Sequence, residues 1–250
     1  MTGDMTGNMT GNIAVVVGAT GGLGRAIAEQ LMSDPAYGRV VALSRRRPNG
    51  WLTDDRRDWI GVDILEEATL AAAADQLSRL GPLTRIVVAT GALHRPGLTP
   101  EKSMRAVTLE SLTALFALNA AGPALVAKHF LPLTPKAQSS LFAALSARVG
   151  SIGDNHLGGW YGYRSSKAAL NMLIRTLAIE HCRTRPLGIC VALHPGTVDT
   201  ALSAPFQSGV RPGKLFTPAQ SAAALLAVMD GMGPNSNGGF FAWDGSPIAW

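Results

Sequence analysis

A tyrosine and a lysine stand four residues apart in the stretch GGWYGYRSSK, as Tyr163 and Lys167. On an α-helix, residues at this spacing share one face, so the ammonium group can lie beside the phenol. An unperturbed phenol has a pKa of about 10, and a nearby positive charge favours its ionised form. The pair therefore predicts a general acid/base whose proton affinity is adjusted by the lysine.

The fold that must hold this pair is indicated by β-branched apolar runs that alternate with helical patterns. The predicted strands are IAVVVGA, RVVALS, DWIGVD, RIVVAT, SSLFAAL and GICVAL, with helices between them, one of them around Leu109 to Phe130. Near-continuous apolar strands separated by helices indicate a parallel sheet covered on both faces, with right-handed crossovers. The sequence thus predicts a single α/β domain over residues 13–250, a Rossmann-type doubly wound parallel sheet of about seven strands.

Composition narrows the classes of protein that the chain could belong to. Residues 1–12, MTGDMTGNMTGN, repeat a four-residue unit and are expected to form a flexible tail. Cys182 and Cys190 form no metal or disulfide pattern and the five histidines have no ligand spacing, so no metal is expected. Neither a membrane span nor a signal peptide is seen, which predicts a cytoplasmic protein. Basic residues are scattered, apart from Arg45–Arg47, which argues against nucleic acid as a partner.

A glycine-rich turn follows the first predicted strand in VVVGATGGLGRAIAEQL. Gly18, Gly22 and Gly24 permit a tight turn, close approach of a pyrophosphate to backbone N–H groups, and close helix packing. The helix that begins there offers its positive end to an anion. Because the turn lies at the first strand–helix junction of an alternating α/β chain, it predicts a dinucleotide site rather than an ordinary tight turn.

The second predicted strand ends in ALSRRR, where an NAD site usually places an acidic residue. Ser44 and Arg45 occupy that place here. A guanidinium can form charge-assisted hydrogen bonds with a ribose 2′-phosphate, which a carboxylate would repel. The sequence therefore favours NADP over NAD, the alternative being a solvated basic turn.

These features follow the order found in the short-chain dehydrogenases/reductases, which the chain resembles over residues 13–250. The resemblance rests on the glycine turn, Asp63, Asn119, Tyr163-x-x-x-Lys167 and Pro195-Gly196-x-Val198-x-Thr200. More narrowly, GSIGDNHLGGWYGYRSSKAALN and GGFFAWDGSPIAW resemble the branch containing the C-factor cell-signalling proteins and the sniffer-type carbonyl reductases. The resemblance implies an NADPH-dependent oxidoreductase that transfers hydride between nicotinamide and a small or hydrophobic carbonyl or alcohol substrate.

The resemblance also implies roles for single residues. Tyr163 would protonate the carbonyl oxygen, Lys167 would hold the ribose hydroxyls and favour the phenolate, and Asn119 would keep a relay water beside the lysine. Asp63 would accept a hydrogen bond from the adenine amino group, and Thr200 would reach the pyrophosphate. The implied cofactor-binding residues are Gly18, Thr20, Gly22, Leu23, Gly24, Ser44, Arg45, Asp63, Ile64, Ala89, Gly91, Tyr163, Lys167, Pro195, Gly196, Val198 and Thr200.

The serine that this family uses to bind the substrate carbonyl is not at its expected place. Aligned on Gly150, the stretch LSARVG puts Ala147 there. Ser146 is one residue earlier and would point to the opposite face of a strand unless the backbone bulges. Ser146 is taken as the fourth catalytic residue, with Ser151, or Tyr163 acting without a serine, as the alternatives.

Two further stretches bear on the pocket. VVATGAL keeps Gly91 but lacks the asparagines common in the family, which weakens side-chain bonding beside the cofactor. The segment of about 197–215 is rich in Gly, Pro and Ser and is expected to form a mobile substrate loop. Trp160, just before the helix of Tyr163, could wall the pocket.

Two other functions fit parts of the pattern. The spacing Gly18-x-x-Gly21-x-x-Gly24 also suits nucleotide-sugar epimerases, but the chain has no residues left for their additional substrate region. A regulator that binds the cofactor with little turnover fits the cell-signalling branch and Ala147, whereas the intact Tyr163 and Lys167 argue against it. Substrate identity, reaction direction and a possible homo-oligomer are left open by the sequence.

Overall fold

The computed structural model describes residues 11–250. Most of the tail expected over residues 1–12 lies outside the described residues, and the first strand begins at Asn12, one residue before the predicted start. The strands are β1 (Asn12–Val17), β2 (Tyr37–Ser44), β3 (Arg57–Gly61), β4 (Leu83–Val88), β5 (Ser140–Leu145), β6 (Gly188–His194), β7 (Thr197–Val198), β8 (Leu215–Phe216) and β9 (Phe240–Ala242).

Within residues 11–250, seven of these strands form one sheet in the order β3-β2-β1-β4-β5-β6-β9. All of its neighbouring strands run parallel. The order changes direction between β1 and β4, which is the place where open α/β sheets bind ligands at their carboxyl ends. The predicted seven-stranded doubly wound sheet is confirmed.

Helices cover both faces of this sheet. They are α1 (Gly22–Ser33), α2 (Glu67–Ser78), α3 (Leu109–Phe116), α4 (Gly122–Phe130), α5 (Tyr161–His181) and α6 (Pro218–Asp230). α1 and α6 pack on the face that buries Ala14 and Val16 of β1, whereas α2, α4 and α5 pack on the face that buries Val15 and Val17. Burial of alternate residues on two faces explains why the strands read as continuous apolar runs.

The predicted helix from Leu109 to Phe130 is interrupted in the structure. Residues Ala117–Ala121 form a π-helical turn between α3 and α4, and this turn contains Asn119. A π turn inserts an extra residue per hydrogen-bonded ring and is often found at functional sites. The apolar periodicity does not reveal it, because a π turn is defined by main-chain hydrogen bonds and one extra residue does not remove the apolar pattern.

The segment Leu109–Leu133 is also long and apolar enough to cross a membrane, judged by length and composition alone. Its most apolar window has a mean hydropathy of 1.4, and one third of that window is buried. In the fold, the segment belongs to the helical layer, where α3 and the π turn pack against α5. Core helices of folded domains pass the same test, so the hydropathy alone does not distinguish a membrane span from a core helix.

A short pair of strands closes the base of the predicted substrate loop. β7 and β8 pair in parallel through Thr197↔Leu215 and Val198↔Phe216, which brings the two ends of the loop together. Between them, Ala204–Gly209 forms a 3₁₀ turn. Each strand is only two residues long, which is too short for an alternating pattern in the sequence to predict it.

Candidate active site

A cavity of about 490 Å³ lies at the carboxyl end of the sheet. It is bordered by the glycine turn (residues 18–24), the ends of β4, β5 and β6, the start of α5, and the loop that follows β7. Twelve of the residues predicted from sequence line it: Gly22, Leu23, Gly24, Ala89, Gly91, Ser146, Tyr163, Lys167, Pro195, Gly196, Val198 and Thr200. Segments far apart in the chain therefore meet at one cavity, and twelve of the predicted site residues border it.

The glycine turn forms a cradle made of main-chain groups. Gly18 has a φ of +91°, and a Cβ added at Gly24 would lie 2.4 Å from the Gly18 carbonyl oxygen. In the described part of the chain, no side chain caps the start of α1, and its first turn holds no acidic residue. Helix N-terminal N–H groups without such partners favour an anion.

Thr200 closes over this cradle from the opposite side. A Cβ added at Gly22 would lie 3.0 Å from the Thr200 Cγ2 atom, so the two residues are in close contact. The contact joins the start of α1 to the segment Pro195–Thr200, as expected if both border one ligand.

Tyr163 and Lys167 lie in the first two turns of α5 and are 7% and 3% exposed. The Lys167 Nζ atom lies 5.8 Å from the centre of the Tyr163 ring. The same atom donates a hydrogen bond of 2.8 Å to the main-chain oxygen of Leu145, at the end of β5. The predicted pair therefore shares one helix face, and that face borders the cavity.

Burial acts on both groups of this pair. It raises the pKa of the Tyr163 hydroxyl to about 12 and lowers the pKa of the Lys167 ammonium to about 8. Desolvation disfavours the charged form of each group, which explains the opposite directions. The expectation that Lys167 favours the phenolate is thus opposed by desolvation, and the side chains do not preform an ion pair.

Asn119 is fully buried and holds the segment after β4. Its Oδ1 atom accepts a hydrogen bond from the Ala92 N–H (2.8 Å), and its Nδ2 atom donates to the Ala92 oxygen (2.8 Å) and to Ser166 Oγ (3.0 Å). A Cβ added at Gly91 would lie 3.3 Å from both Asn119 Oδ1 and Lys167 Nζ. Asn119 therefore lies close to the predicted pair.

The two candidate serines have other partners in the structure. Ser146 Oγ donates a hydrogen bond of 2.6 Å to Asn171 Oδ1, and Ser151 Oγ accepts one of 3.1 Å from the Asp154 N–H. Both serines are buried. Ser146 and Ala147 line the cavity. Catalysis by Ser146 stays a prediction, because its proton is directed to Asn171.

The residues predicted to bind the adenosine half do not line this cavity. Ser44 Oγ donates to the Arg46 oxygen (2.6 Å) and accepts from Trp59 Nε1 (3.1 Å), while Arg45 is exposed. Asp63 Oδ1 accepts from the Leu65 N–H (3.1 Å). Ile64 is buried against Gly122, and Thr20 is exposed on the glycine turn. At the end of β2 the Ser44 hydroxyl is thus already hydrogen-bonded, whereas the cationic side chains of Arg45, Arg46 and Arg47 are exposed.

The structure also shows two cavity-lining residues, Thr90 and His194, to which the sequence analysis assigned no role in the site. Thr90 Oγ1 and His194 Nδ1 are buried and lack a hydrogen-bond partner among the residues described. Both residues line the cavity, and burial lowers the pKa of His194 to about 4, so its imidazole is neutral. In the sequence, the position of His194 directly before Pro195-Gly196 could have indicated that it lies at the site.

An aromatic rim borders the outer part of the cavity. The ring of Trp160 lies 5.0 Å from that of Phe206 and 6.2 Å from that of Tyr163, in edge-to-face geometry. His94 contacts Phe206 from the other side, with 5.7 Å between ring centres. Trp160 thus walls the pocket, as the sequence suggested, and Phe206 of the loop completes the wall.

Within residues 11–250, no group of three or more His, Cys, Asp or Glu side chains is placed to hold a metal ion. The site combines a main-chain anion cradle with a buried phenol and amine, an arrangement suited to dinucleotide-dependent proton and hydride transfer.

Comparison with known proteins agrees with this class. The family model for short chain dehydrogenase matches residues 12–210. The chain therefore belongs to the short-chain dehydrogenase/reductase family, and it is an oxidoreductase of that family.

Three similar proteins illustrate the range of the family. C-signal of Myxococcus xanthus is 34% identical over 145 residues, covering 58% of this chain and 81% of the relative. The 1-hydroxy-2-glutathionyl-2-methyl-3-butene dehydrogenase of Rhodococcus sp. (strain AD45) is 31% identical over 192 residues, covering 76% and 79%. The NADPH-bound carbonyl reductase from chicken fatty liver has the same fold, with a TM-score of 0.83, 24% identity, and coverage of 96% and 94%.

Proposed function

We propose that this protein is an NADPH-dependent carbonyl reductase in which Tyr163 donates a proton to the carbonyl oxygen. The observation that carries the proposal is the meeting of Tyr163 and Lys167 with the glycine turn at one cavity, with Asn119 buried close to the lysine. The phenol is buried and the lysine is held by a main-chain oxygen, so the proton donor has a defined place.

The residues present fit a dinucleotide. The uncapped start of α1 suits the pyrophosphate, and Gly24 permits the close packing of the turn on the Gly18 carbonyl that a Cβ would prevent. Two buried polar atoms without partners in the described chain, Thr90 Oγ1 and His194 Nδ1, border the same cavity. When bound, NADPH supplies the hydride. Lys167 would hold the ribose hydroxyls, and the segment Pro195–Thr200 would border the nicotinamide.

The preference for NADPH is supported at the end of β2. Arg45 is exposed there, and the described ion pairs do not include it, so its guanidinium is available to a 2′-phosphate. A carboxylate that would accept ribose hydroxyls is missing from ALSRRR. The NADPH bound to the chicken carbonyl reductase agrees with this preference.

Burial keeps the Tyr163 hydroxyl protonated but makes it a weaker acid, so proton donation depends on stabilisation of the phenolate that is left. Because burial raises its pKa to about 12, the hydroxyl keeps its proton near neutral pH and can donate it from Oη. Lys167 is charged below its pKa of about 8, where it stabilises the phenolate that remains after proton transfer. Asn119 would keep a water near the lysine for return of the proton. The proposed direction is therefore reduction, with Tyr163 acting without a serine at position 147.

The substrate is proposed to be a small or hydrophobic carbonyl compound. The wall of the cavity nearest Tyr163 is apolar and aromatic, with Trp160 and Phe206 at its rim. The loop between β7 and β8 contributes Phe206, so its closure would cover the substrate and exclude water. Apolar contacts would set affinity, and the single hydrogen bond from Tyr163 would set orientation.

A second candidate is a cofactor-binding signalling protein with little turnover, which the match to C-signal favours. The test is to measure binding of NADPH and NADH, then loss of NADPH absorbance with aliphatic and aromatic aldehydes and ketones, for the wild type and Tyr163→Phe. The phenyl variant should lose about 10²- to 10⁴-fold in kcat with unchanged cofactor affinity. Equal turnover in the variant would reject the role of Tyr163. Tight NADPH binding without turnover in either protein would favour the signalling candidate.

A further inference from the structure

Glu101 lies outside the predicted site, between β4 and α3, yet only 3% of it is exposed. Its carboxylate accepts two hydrogen bonds, from Ser111 Oγ to Oε1 (3.0 Å) and from the Gly162 N–H to Oε2 (3.1 Å). Its main-chain oxygen accepts a third, from the Trp160 N–H (2.5 Å). Two of these three bonds hold the start of α5, the helix that carries Tyr163.

The start of α5 needs such support because of its local backbone. Trp160 is the residue before the first turn, with φ 52° and ψ 44°, and within residues 11–250 it is the only non-glycine residue with positive φ. This left-handed conformation is unfavourable for a bulky side chain. The Trp160 side chain makes no capping hydrogen bond. The carboxylate of Glu101, 61 residues away from Gly162, caps the helix instead by accepting from the Gly162 N–H. A negative charge at a helix N-terminus is favourable.

The support reaches the reacting groups through two neighbours. Gly162 directly precedes Tyr163, and a Cβ added at Gly162 would lie 3.0 Å from Glu101 Oε1, so the first turn is closely fitted to the carboxylate. The Trp160 ring packs on both Tyr163 and Phe206. Displacement of the turn would therefore move the proton donor and the aromatic rim together.

The other carboxylate oxygen joins a second catalytic element. Ser111 belongs to the capping box at the start of α3, where its Oγ accepts from the Thr108 N–H. Its one hydroxyl proton is shared between Glu101 Oε1 and the Thr108 oxygen, both 3.0 Å from Oγ. α3 leads directly into the π turn that holds Asn119. A single carboxylate thus joins the helix of Asn119 to the helix of Tyr163 and Lys167.

We propose that Glu101 is a positioning residue for carbonyl reduction, which sets the first turn of α5 and through it the place of the Tyr163 hydroxyl. The proposal rests on the proposed function of Tyr163. Among residues 11–250, Glu101 takes part in no ion pair within 4.0 Å, so its partners are neutral donors. A buried carboxylate without a cation is unfavourable unless hydrogen bonds compensate it, which is what these donors do.

Two variants separate positioning from simple loss of stability. Glu101→Gln can still accept from the Gly162 N–H, and its amide can donate to Ser111 Oγ, which keeps its bond to the Thr108 oxygen. Glu101→Ala keeps neither side-chain bond. Because a misplacement of about 1 Å can cost about 10²-fold, we expect kcat of Glu101→Ala to fall by about 10- to 100-fold. The KM for the carbonyl substrate and the NADPH Kd should change by less than about twofold, and Glu101→Gln should recover most of kcat.

Leu77→Ala is the matched control, because Leu77 is buried on α2 and lies away from the cavity. It should lower thermal stability without lowering kcat at a temperature where it is folded. An unchanged kcat in Glu101→Ala, or a Glu101→Gln variant as slow as Glu101→Ala, would overturn the proposal while leaving the role of Tyr163 intact.

Amide hydrogen exchange of residues 160–164 gives a readout that needs no turnover. Glu101→Ala should exchange faster there than the wild type, whereas Glu101→Gln and Leu77→Ala should not. Equal exchange in Glu101→Ala and wild type would overturn the positioning role even if the protein proves not to reduce carbonyls. Absence of wild-type turnover with normal NADPH binding would instead count against the proposed function, and faster exchange would then still support Glu101 as the residue that sets this turn.

Discussion

The two ends of the cavity are built in different ways. The cofactor end, formed by the glycine turn and Thr200, consists of main-chain groups that pack closely because the glycines lack side chains. The reaction end, formed by Tyr163, Lys167 and Asn119, consists of buried side chains whose properties depend on their surroundings. The cofactor end should therefore fail when atoms are added, and the reaction end when a functional group is removed or changes charge.

Gly24→Ala tests the cofactor end and should have the largest effect of the changes made there, because affinity and stability should both fall. The new Cβ would lie 2.4 Å from the Gly18 carbonyl oxygen, so the backbone of the turn must shift. We expect NADPH affinity to fall by at least about tenfold and stability to fall by about 1–3 kcal/mol, the usual cost of overpacking. Titration calorimetry and denaturant unfolding measure the two quantities.

Gly233→Ala is the matched control for that variant. Its new Cβ would meet no atom within 4 Å, and Gly233 lies after α6, away from the cavity. It should bind NADPH like the wild type. Normal binding by Gly24→Ala would show that the close packing of the turn is not what holds the cofactor.

The reaction end should respond to pH through Lys167. Burial lowers the pKa of its ammonium to about 8, so the group is charged below that pH and neutral above it. Because the charged form stabilises the phenolate left by proton transfer, kcat for reduction should fall by about tenfold per pH unit above about 8. Tyr163 adds no change in this range, since burial raises its pKa to about 12.

A pH profile of kcat for wild type and Lys167→Arg measures this effect. The guanidinium remains charged throughout, so the arginine variant should be slower at neutral pH but lose the decline above pH 8. A wild-type profile that stays level for two units above pH 8 would mean that the lysine charge does not assist the reaction.

The same contrast explains what the sequence could predict. The glycine turn and the Tyr163–Lys167 pair each consist of residues close together in the chain, so their spacing in the sequence was enough to predict them. The bond from Ser146 to Asn171 depends on how β5 lies against α5, and the contact of Glu101 with Gly162 joins residues 61 apart. Neither β-branched runs nor helical periodicity specifies such a register, and the π turn at Asn119 was missed for the same reason.

Arg45→Glu tests whether the cofactor end also chooses between the two dinucleotides. Arg45 is exposed at the end of β2, so the change should cost little stability. Loss of a charge-assisted hydrogen bond and the added repulsion should lower the affinity for NADPH relative to NADH by about tenfold or more. Arg105→Glu, which alters another exposed arginine that does not line the cavity, controls for the change in net charge. An unchanged preference would assign the choice of cofactor to other groups.

Ser146→Ala should have the smallest effect, although this serine lines the same cavity as Tyr163. Its hydroxyl donates to Asn171, whose amide in turn donates to the Gly150 oxygen (3.4 Å), so the serine helps to hold the turn after β5. We expect a loss of about 1 kcal/mol in stability, the usual worth of one hydrogen bond, and a loss in kcat below about tenfold. Ala147→Ser is the informative partner, because it places a hydroxyl on a residue that lines the cavity. If Ser146→Ala lost as much kcat as Tyr163→Phe, Ser146 would be a proton or hydrogen-bond donor to the substrate, and its bond to Asn171 would have to break during the reaction.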